Sequence, residues 1–347
     1  MGFEYINEEQ KIRISLSNRA YYTMIDDMAV FDIKQPASFI NTIIKNLREN
    51  SMASLTSYLE HWKEEEYQKY KSIPVDSETK DLIIERLYIQ EEKRISDILK
   101  GYMKGGENSR LYRINNENIE YLQYYCEDDE FYKQRPGLFI KCLMEEYAEH
   151  PFIERERIFR KDVYEIVEYA CANQKMMQVR MDLFGKKETL MIYPYKITSD
   201  PMNYQSYLAC YTKKQKESSK EKIDASFSMA RIPKPTLLKQ NSFLSKDDKE
   251  KIEKDIRKLS VNFLYGNETE IRVKLTNSGK RRFHNNLISR PAKDDAASTE
   301  DEYVFHCSES QAYIYFYPFG EHAEIISPIS LRNRITESHK KALTIYN

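Results

Sequence analysis

Apolar and polar residues alternate through the middle of the chain. Val179, Met181 and Leu183, then Met191, Tyr193 and Tyr195, then Tyr207, Ala209 and Tyr211 fall at every second position. A period of two predicts strands with one buried face. Gly185-Lys186 and Ser199-Asp200-Pro201 punctuate them as turns. The stretch from Val179 to Ile232 therefore reads as a small, strongly bent antiparallel sheet or barrel. A shorter alternation stands near the start, with Ile12, Ile14 and Leu16 on one face and Lys11, Arg13, Ser15 and Ser17 on the other. More alternation, at Ile271, Val273 and Leu275, at Tyr303 to Cys307 and at Ala312 to Tyr317, predicts another sheet. The chain ends in an apolar strand, a proline and a closing helix.

Helical spacing fills most of the rest. Asn18 is placed as an N-cap. A helix follows it on Tyr21, Met24, Ile25, Met28 and Phe31, and Asp32-Ile33-Lys34 breaks it. Pro36 suits the first turn of a second helix, buried along Phe39, Ile40, Ile43, Ile44 and Leu47. Residues 50–104 read as charged helices up to the breaker Gly105-Gly106. Arg110, Tyr112 and Arg113 lead into a strand or turn. Pro136 opens a further helix, which Pro151 ends. Arg155, Arg157, Arg160 and Lys161 begin the next segment. They face a phosphate or pair with the interleaved Glu154, Glu156 and Asp162, the commoner fate of mixed charge on a helix. Lys213 to Lys222 is expected to be a mobile loop or hairpin tip, Lys246 to Lys258 a charged helix, and residues 292–301 a loop.

Composition narrows the function classes. A chain of 347 residues exceeds one compact domain, and two to four are expected. A net charge of −1 means that any basic surface must be local. Twenty-seven tyrosines against one tryptophan suit strand cores and base stacking alike. Five scattered cysteines, with no C-x-x-C pair, point to a reducing compartment. No signal peptide or 18-residue apolar run is present, so a cytoplasmic location is expected. There is no P-loop, dinucleotide glycine motif or H-E-x-x-H, and the six histidines are dispersed. The expectation is a protein without catalytic residues, metal or cofactor.

Two resemblances sharpen this reading. The basic strand at Arg180, then Pro194-Tyr195-Lys196-Ile197, then Ser206-Tyr207-Leu208, then Phe227 to Ile232 with Arg231, resembles the WYL domain of bacterial regulators. Here serine stands where that family's tripeptide has tryptophan. The resemblance implies a small Sm-like β-barrel and a basic-aromatic pocket for a charged ligand or nucleic acid, formed by Arg180, Lys196, Tyr204, Tyr207 and Arg231. An ordinary core with Arg231 in a salt bridge is the alternative. The final strand-Pro-helix, with Arg332, resembles the α+β extension that follows WYL domains and aids dimerisation.

The strand-helix-helix at the amino end resembles a ribbon-helix-helix module, although the usual glycine between the helices is missing. In that family two copies pair their strands, which implies a homodimer with Lys11, Arg13 and Ser15 in the DNA major groove. The amino end of the second helix, near Gln35 to Ser38, would hold a phosphate. The alternative is a ribbon kept only for pairing. The expected class is therefore α+β multidomain: a ribbon-helix-helix at 1–50, a helical region at 51–172, a WYL domain at 173–244 and a C-terminal α+β extension at 245–347. This order of modules is similar to that of WYL-domain accessory proteins of type VI-D CRISPR systems. It implies single-stranded RNA and a type VI-D effector as partners, with a ligand-responsive duplex-DNA regulator as the alternative.

Overall fold

The computed structural model describes residues 10–127, 131–183, 186–200, 204–214, 223–264 and 269–346. The chain divides into two compact units, Met1–Lys161 and Asp162–Asn347.

The first unit begins with β1 (Lys11–Leu16), α1 (Asn18–Val30) and α2 (Pro36–Leu47). A two-helix excursion follows, α3 (Leu55–Tyr70) and α4 (Ser77–Met103), then β2 (Asn108–Arg113). Three helices close the unit: α5 (Asn116–Glu127), α6 (Pro136–Glu149) and α7 (Phe152–Phe159). The cap of α1 lies one residue before the expected Asn18: the Ser17 hydroxyl accepts from the Ala20 N–H. Pro36 takes the first turn of α2, and Phe39, Ile40, Ile43, Ile44 and Leu47 are its buried stripe, as the spacing predicts. Phe31 and Phe39 stack on Phe159 at 4.5 and 4.9 Å between ring centres.

The strand β1 pairs antiparallel with β2, from Lys11 opposite Arg113 to Leu16 opposite Asn108. This corrects the expectation that β1 finds its ladder partner on a second copy. A lone strand leaves its N–H and C=O groups unmatched, and here a strand about a hundred residues downstream supplies the match.

The unit is built on α6. Eleven of its fourteen residues are buried, including Lys141, Glu145 and Glu146. Buried charges are costly unless they are hydrogen-bonded, and each of these holds a chain turn. Lys141 Nζ donates to the carbonyls of Met103, Lys104 and Gly105, the end of α4, at 3.2, 3.0 and 2.6 Å. The Glu145 carboxylate accepts from the Ser17 N–H and hydroxyl at 2.8 and 2.6 Å. Glu146 accepts from the Ser51 hydroxyl at 2.5 Å and from the Met52 and Ala53 N–H groups at 3.1 and 3.4 Å. Burial still pushes the Glu146 carboxyl above its ordinary range. Next to it, the Tyr147 hydroxyl donates to Asp27 Oδ2 at 2.7 Å, and Arg155 grips the same carboxylate with two bonds, at 2.7 and 3.1 Å. Arg155 is thereby committed to the interior of this unit.

The second unit opens on α8 (Lys161–Ala172), which shares its first residue with the boundary. Then come β3 (Lys175–Leu183), β4 (Lys186–Asp200), β5 (Gln205–Lys214), β6 (Ile223–Ser228) and β7 (Thr236–Asn241). They form one antiparallel sheet in the order β6-β5-β4-β3-β7. The described edge strands β6 and β7 do not pair, so the sheet is open and no closed barrel forms. One face packs Met177, Val179, Leu190, Ile192, Leu208, Cys210 and Ala225 against Val163, Tyr164 and Val167 of α8. The expected loop at 213–222 lies largely outside the described residues.

The chain continues through α9 (Lys246–Leu259), β8 (Thr269–Leu275), α10 (Asn277–Asn285), β9 (Lys293–Asp294) and β10 (Glu302–Cys307). It finishes with α11 (Glu309–Phe316), β11 (Ala323–Ser327) and α12 (Ile329–Tyr346). The second sheet runs β11-β8-β10-β9. Ala312 to Tyr317, expected as a strand, is mostly the helix α11. Its buried residues Gln311, Ala312, Tyr315 and Phe316 follow helical spacing, and the Ser308 hydroxyl caps it.

Candidate nucleic-acid interface

Residues directly opposite in an antiparallel pair share a face. The register therefore puts Lys11 with Arg113, Arg13 with Leu111 and Ser15 with Ser109 on one side of the ribbon. Ile12 and Tyr112 lie on the other side and are buried. The outer side carries three cations and no carboxylate. Arg13 and Arg113 are exposed, and the two serines bond to each other at 2.9 Å. Arg110 falls on the inner side, where its guanidinium lies 5.1 Å from the Tyr21 ring centre. Sequence reasoning singled out Lys11, Arg13 and Ser15 and missed Ser109, Leu111 and Arg113. Tyr112 is the one buried residue of β2, so the strand offers no alternation from which the outward face could be read.

This face is held rigidly. Gly137, in the first turn of α6, approaches β1 so closely that a Cβ there would sit 2.5 Å from the Arg13 carbonyl oxygen. Glu145 fixes Ser17 just past the strand end. The main chain leaving β2 is held as well, by the Asn41 amide donating to the Arg113 carbonyl at 3.0 Å.

The second set of expected residues is spread along the five-stranded sheet. Arg180 on β3 is exposed and pairs with Thr189, near the start of β4. Tyr207 on β5 pairs with Thr198, nine positions further along β4. At roughly 3.3 Å per residue these are distant stations on the strand. Tyr204, Tyr207 and Arg231 share one end, where β5 begins and β6 ends. Tyr207 pairs with Ser228, and the Met229 N–H donates to the Ser206 carbonyl at 2.8 Å. Tyr204 is 69% exposed with a positive φ of 50°, and Arg231 is also exposed.

Lys196 and Tyr207 have structural occupations on the sheet face opposite α8. There Tyr193, Tyr195 and Tyr207 pack with Ala209, Tyr211 and Ile252 of α9. A register shift between Pro194 and Lys196 interrupts the alternation at Tyr195-Lys196. Glu253 on α9 accepts from both, from the Tyr195 hydroxyl at 2.8 Å and from Lys196 Nζ at 2.5 Å. Those two bonds hold the Glu253 carboxyl below its ordinary value. Arg332 pairs with Glu324 at 2.9 Å.

The ribbon and the sheet can offer cations and exposed rings to a polyanion. Among the described residues there is no cluster of three or more His, Cys, Asp or Glu that could hold a metal ion. No described helix is long and apolar enough to cross a membrane.

No family model matches the chain. No curated protein sequence matches it either. A solved structure does: over 97% of this chain and 94% of the other, with 21% identity and a TM-score of 0.69, it matches a protein described as CRISPR Cas-related. The two chains share a fold. A second match, to proteasome accessory factor B/C of Arthrobacter aurescens, covers 50% of this chain and 26% of that one at 15% identity and a TM-score of 0.22. That score carries no argument about kinship.

Proposed function

We propose that the protein is a CRISPR-associated, non-catalytic accessory that binds single-stranded RNA as a homodimer and stimulates an RNA-guided ribonuclease of type VI-D. The observation that carries this reading is the fold, matched almost end to end to a CRISPR Cas-related protein. The basic outer face of the ribbon supports it. Arg13 and Arg113 project there from a rigid platform, with Lys11 alongside. Phosphates are held by such cations, and exposed tyrosine accepts a stacked base. Tyr204 and Arg231 offer one of each at the end of the five-stranded sheet. Lys196 and Tyr207 brace that end through α9, and Arg180 stands apart from it on β3.

The test is fluorescence anisotropy of the full chain with labelled single-stranded RNA and with duplex DNA, titrated with salt. For single strands each lost phosphate contact lowers the salt slope by about 0.7. Arg13→Ala with Arg113→Ala is therefore expected to flatten the RNA slope by about 1.4 without changing the dimer seen in sedimentation. Added to a type VI-D ribonuclease, the wild type is expected to raise target cleavage. An unchanged slope removes the ribbon from the RNA path. Preference for duplex DNA over RNA makes the chain a transcriptional regulator instead, and a monomer in sedimentation overturns the dimer.

A further inference from the structure

The second unit holds a cavity of roughly 700 Å³ between the end of α9 and the segment joining α10 to β9. Neither the ribbon nor the expected basic-aromatic residues line it. Arg257, Arg290 and Lys293 stand around it, and Phe283 and Leu287 contribute apolar wall. Gln311, only 4% exposed, lines it too.

Gln311 is the informative residue. Its amide nitrogen donates to the Ser289 carbonyl at 3.4 Å. Its Oε1 is buried and has no partner among the described residues. The Oδ1 of Asn262, which also lines the cavity, is in the same condition. Buried acceptors without donors are rare and costly. Two of them at one cavity, under a rim of cations, describe a place for a ligand that is anionic at one end and donates N–H at the other. Two of the cations already have neighbours in the fold: Arg290 donates to the Phe283 carbonyl at 3.5 Å, and Lys293 lies 4.2 Å from the Tyr303 ring centre. Arg290 rests over the Phe283 ring, and Lys293 meets the highly exposed Asp295 at 3.0 Å. The cavity's volume falls in the range of small-ligand sites.

We propose that this cavity binds a nucleoside monophosphate whose base carries an exocyclic amine. The phosphate lies against Arg257, Arg290 and Lys293. The base lies against Leu287 and Phe283 and donates its amine to Gln311 Oε1. The proposal does not depend on RNA binding at the ribbon.

Isothermal titration calorimetry of the full chain with AMP, CMP, UMP and inorganic phosphate tests it. AMP or CMP is expected to bind about tenfold more tightly than UMP, which has no exocyclic amine, and more tightly than phosphate alone. Arg257→Ala and Arg290→Ala, both at exposed positions, are each expected to weaken AMP about tenfold. Gln311→Met is expected to erase the preference for AMP over UMP. If that variant does not fold, the arginine variants and the base preference still decide the matter. Arg13→Ala is expected to leave AMP binding unchanged, which separates this site from the ribbon. No nucleotide binding at millimolar concentration overturns the proposal. So does equal affinity for AMP and phosphate, or wild-type affinity in both arginine variants.

Discussion

Removing the Asp27 carboxylate should unfold the first unit far more readily than any surface change. Asp27 is 1% exposed and accepts three bonds, two from Arg155 and one from the Tyr147 hydroxyl. Asp27→Ala strands a guanidinium whose side chain is only 17% exposed, together with a buried phenol. Breaking one side of such a pair costs about 3–5 kcal/mol, against a whole-domain stability of roughly 5–15 kcal/mol. With a urea dependence of about 2 kcal/mol per molar, the midpoint should fall by roughly 1.5–2.5 M. The only tryptophan, Trp62, lies on α3, so its fluorescence reports this unit alone. Arg155→Met removes the charge from the other side. The double variant should recover part of the loss, because no lone charge is left behind, and the cycle should show a coupling above about 1 kcal/mol. A midpoint shift below about 0.5 M for Asp27→Ala, or strictly additive variants, would refute the idea that this network holds α1, α6 and α7 together.

Two other stability outcomes follow from the same reasoning. Gly137→Ala places a Cβ 2.5 Å from a backbone oxygen of β1. It should cost about 1–3 kcal/mol in the same Trp62 experiment, and an unchanged midpoint would mean that α6 can slide. The Glu253 carboxyl is held below its ordinary value of 4.5, chiefly by the bond from Lys196 and then by Tyr195. A depressed carboxyl stabilises the fold above pH 4.5, and the benefit is lost as the pH falls further. Glu253→Gln should therefore flatten the acid side of the thermal midpoint measured from pH 3 to 7, and an unchanged acid limb would count against the clasp.

Much of the architecture was readable because most elements obey one period. The five apolar positions of α2 lie at strict helical spacing, and all five are buried. β8 alternates cleanly and pairs with β10, whose Tyr303, Val304 and Phe305 are all buried. The failure at α11 has a physical cause. In Ala-Tyr-Ile-Tyr-Phe-Tyr nearly every residue is apolar or aromatic, so the run has no period to read. The deciding signal lay just upstream, where Ser308 and Gln311 mark a helix start. The edge strand β7 was not anticipated, since Thr236 to Asn241 is largely exposed and lacks a buried face. The sites were less legible than the fold. A cation on a strand reads alike whether it faces solvent or a neighbour. Lys11, Arg13 and Ser15 do lie on one outer face. Lys196 and Tyr207, given to a pocket by resemblance, pack or pair under α9, because the helix that covers them begins some forty residues later. Gln311 reads in the sequence only as part of a helix start: its open acceptor is a property of the packing around it.

The two strands of the ribbon are strangers in sequence, with Ser15 and Ser109 bonded across a separation of 94 residues. Local helices form in microseconds, whereas a pairing of such separation must wait for the intervening chain to be ordered. The basic face therefore has no existence in a partly synthesised or partly folded chain. It appears only when α1 to α4 are in place and β2 closes the ladder. A chain interrupted before residue 108 carries every one of Lys11, Arg13 and Ser15 and still lacks the surface they belong to. Assembly of the first unit thus acts as its own licence: a half-made molecule cannot compete with the finished one.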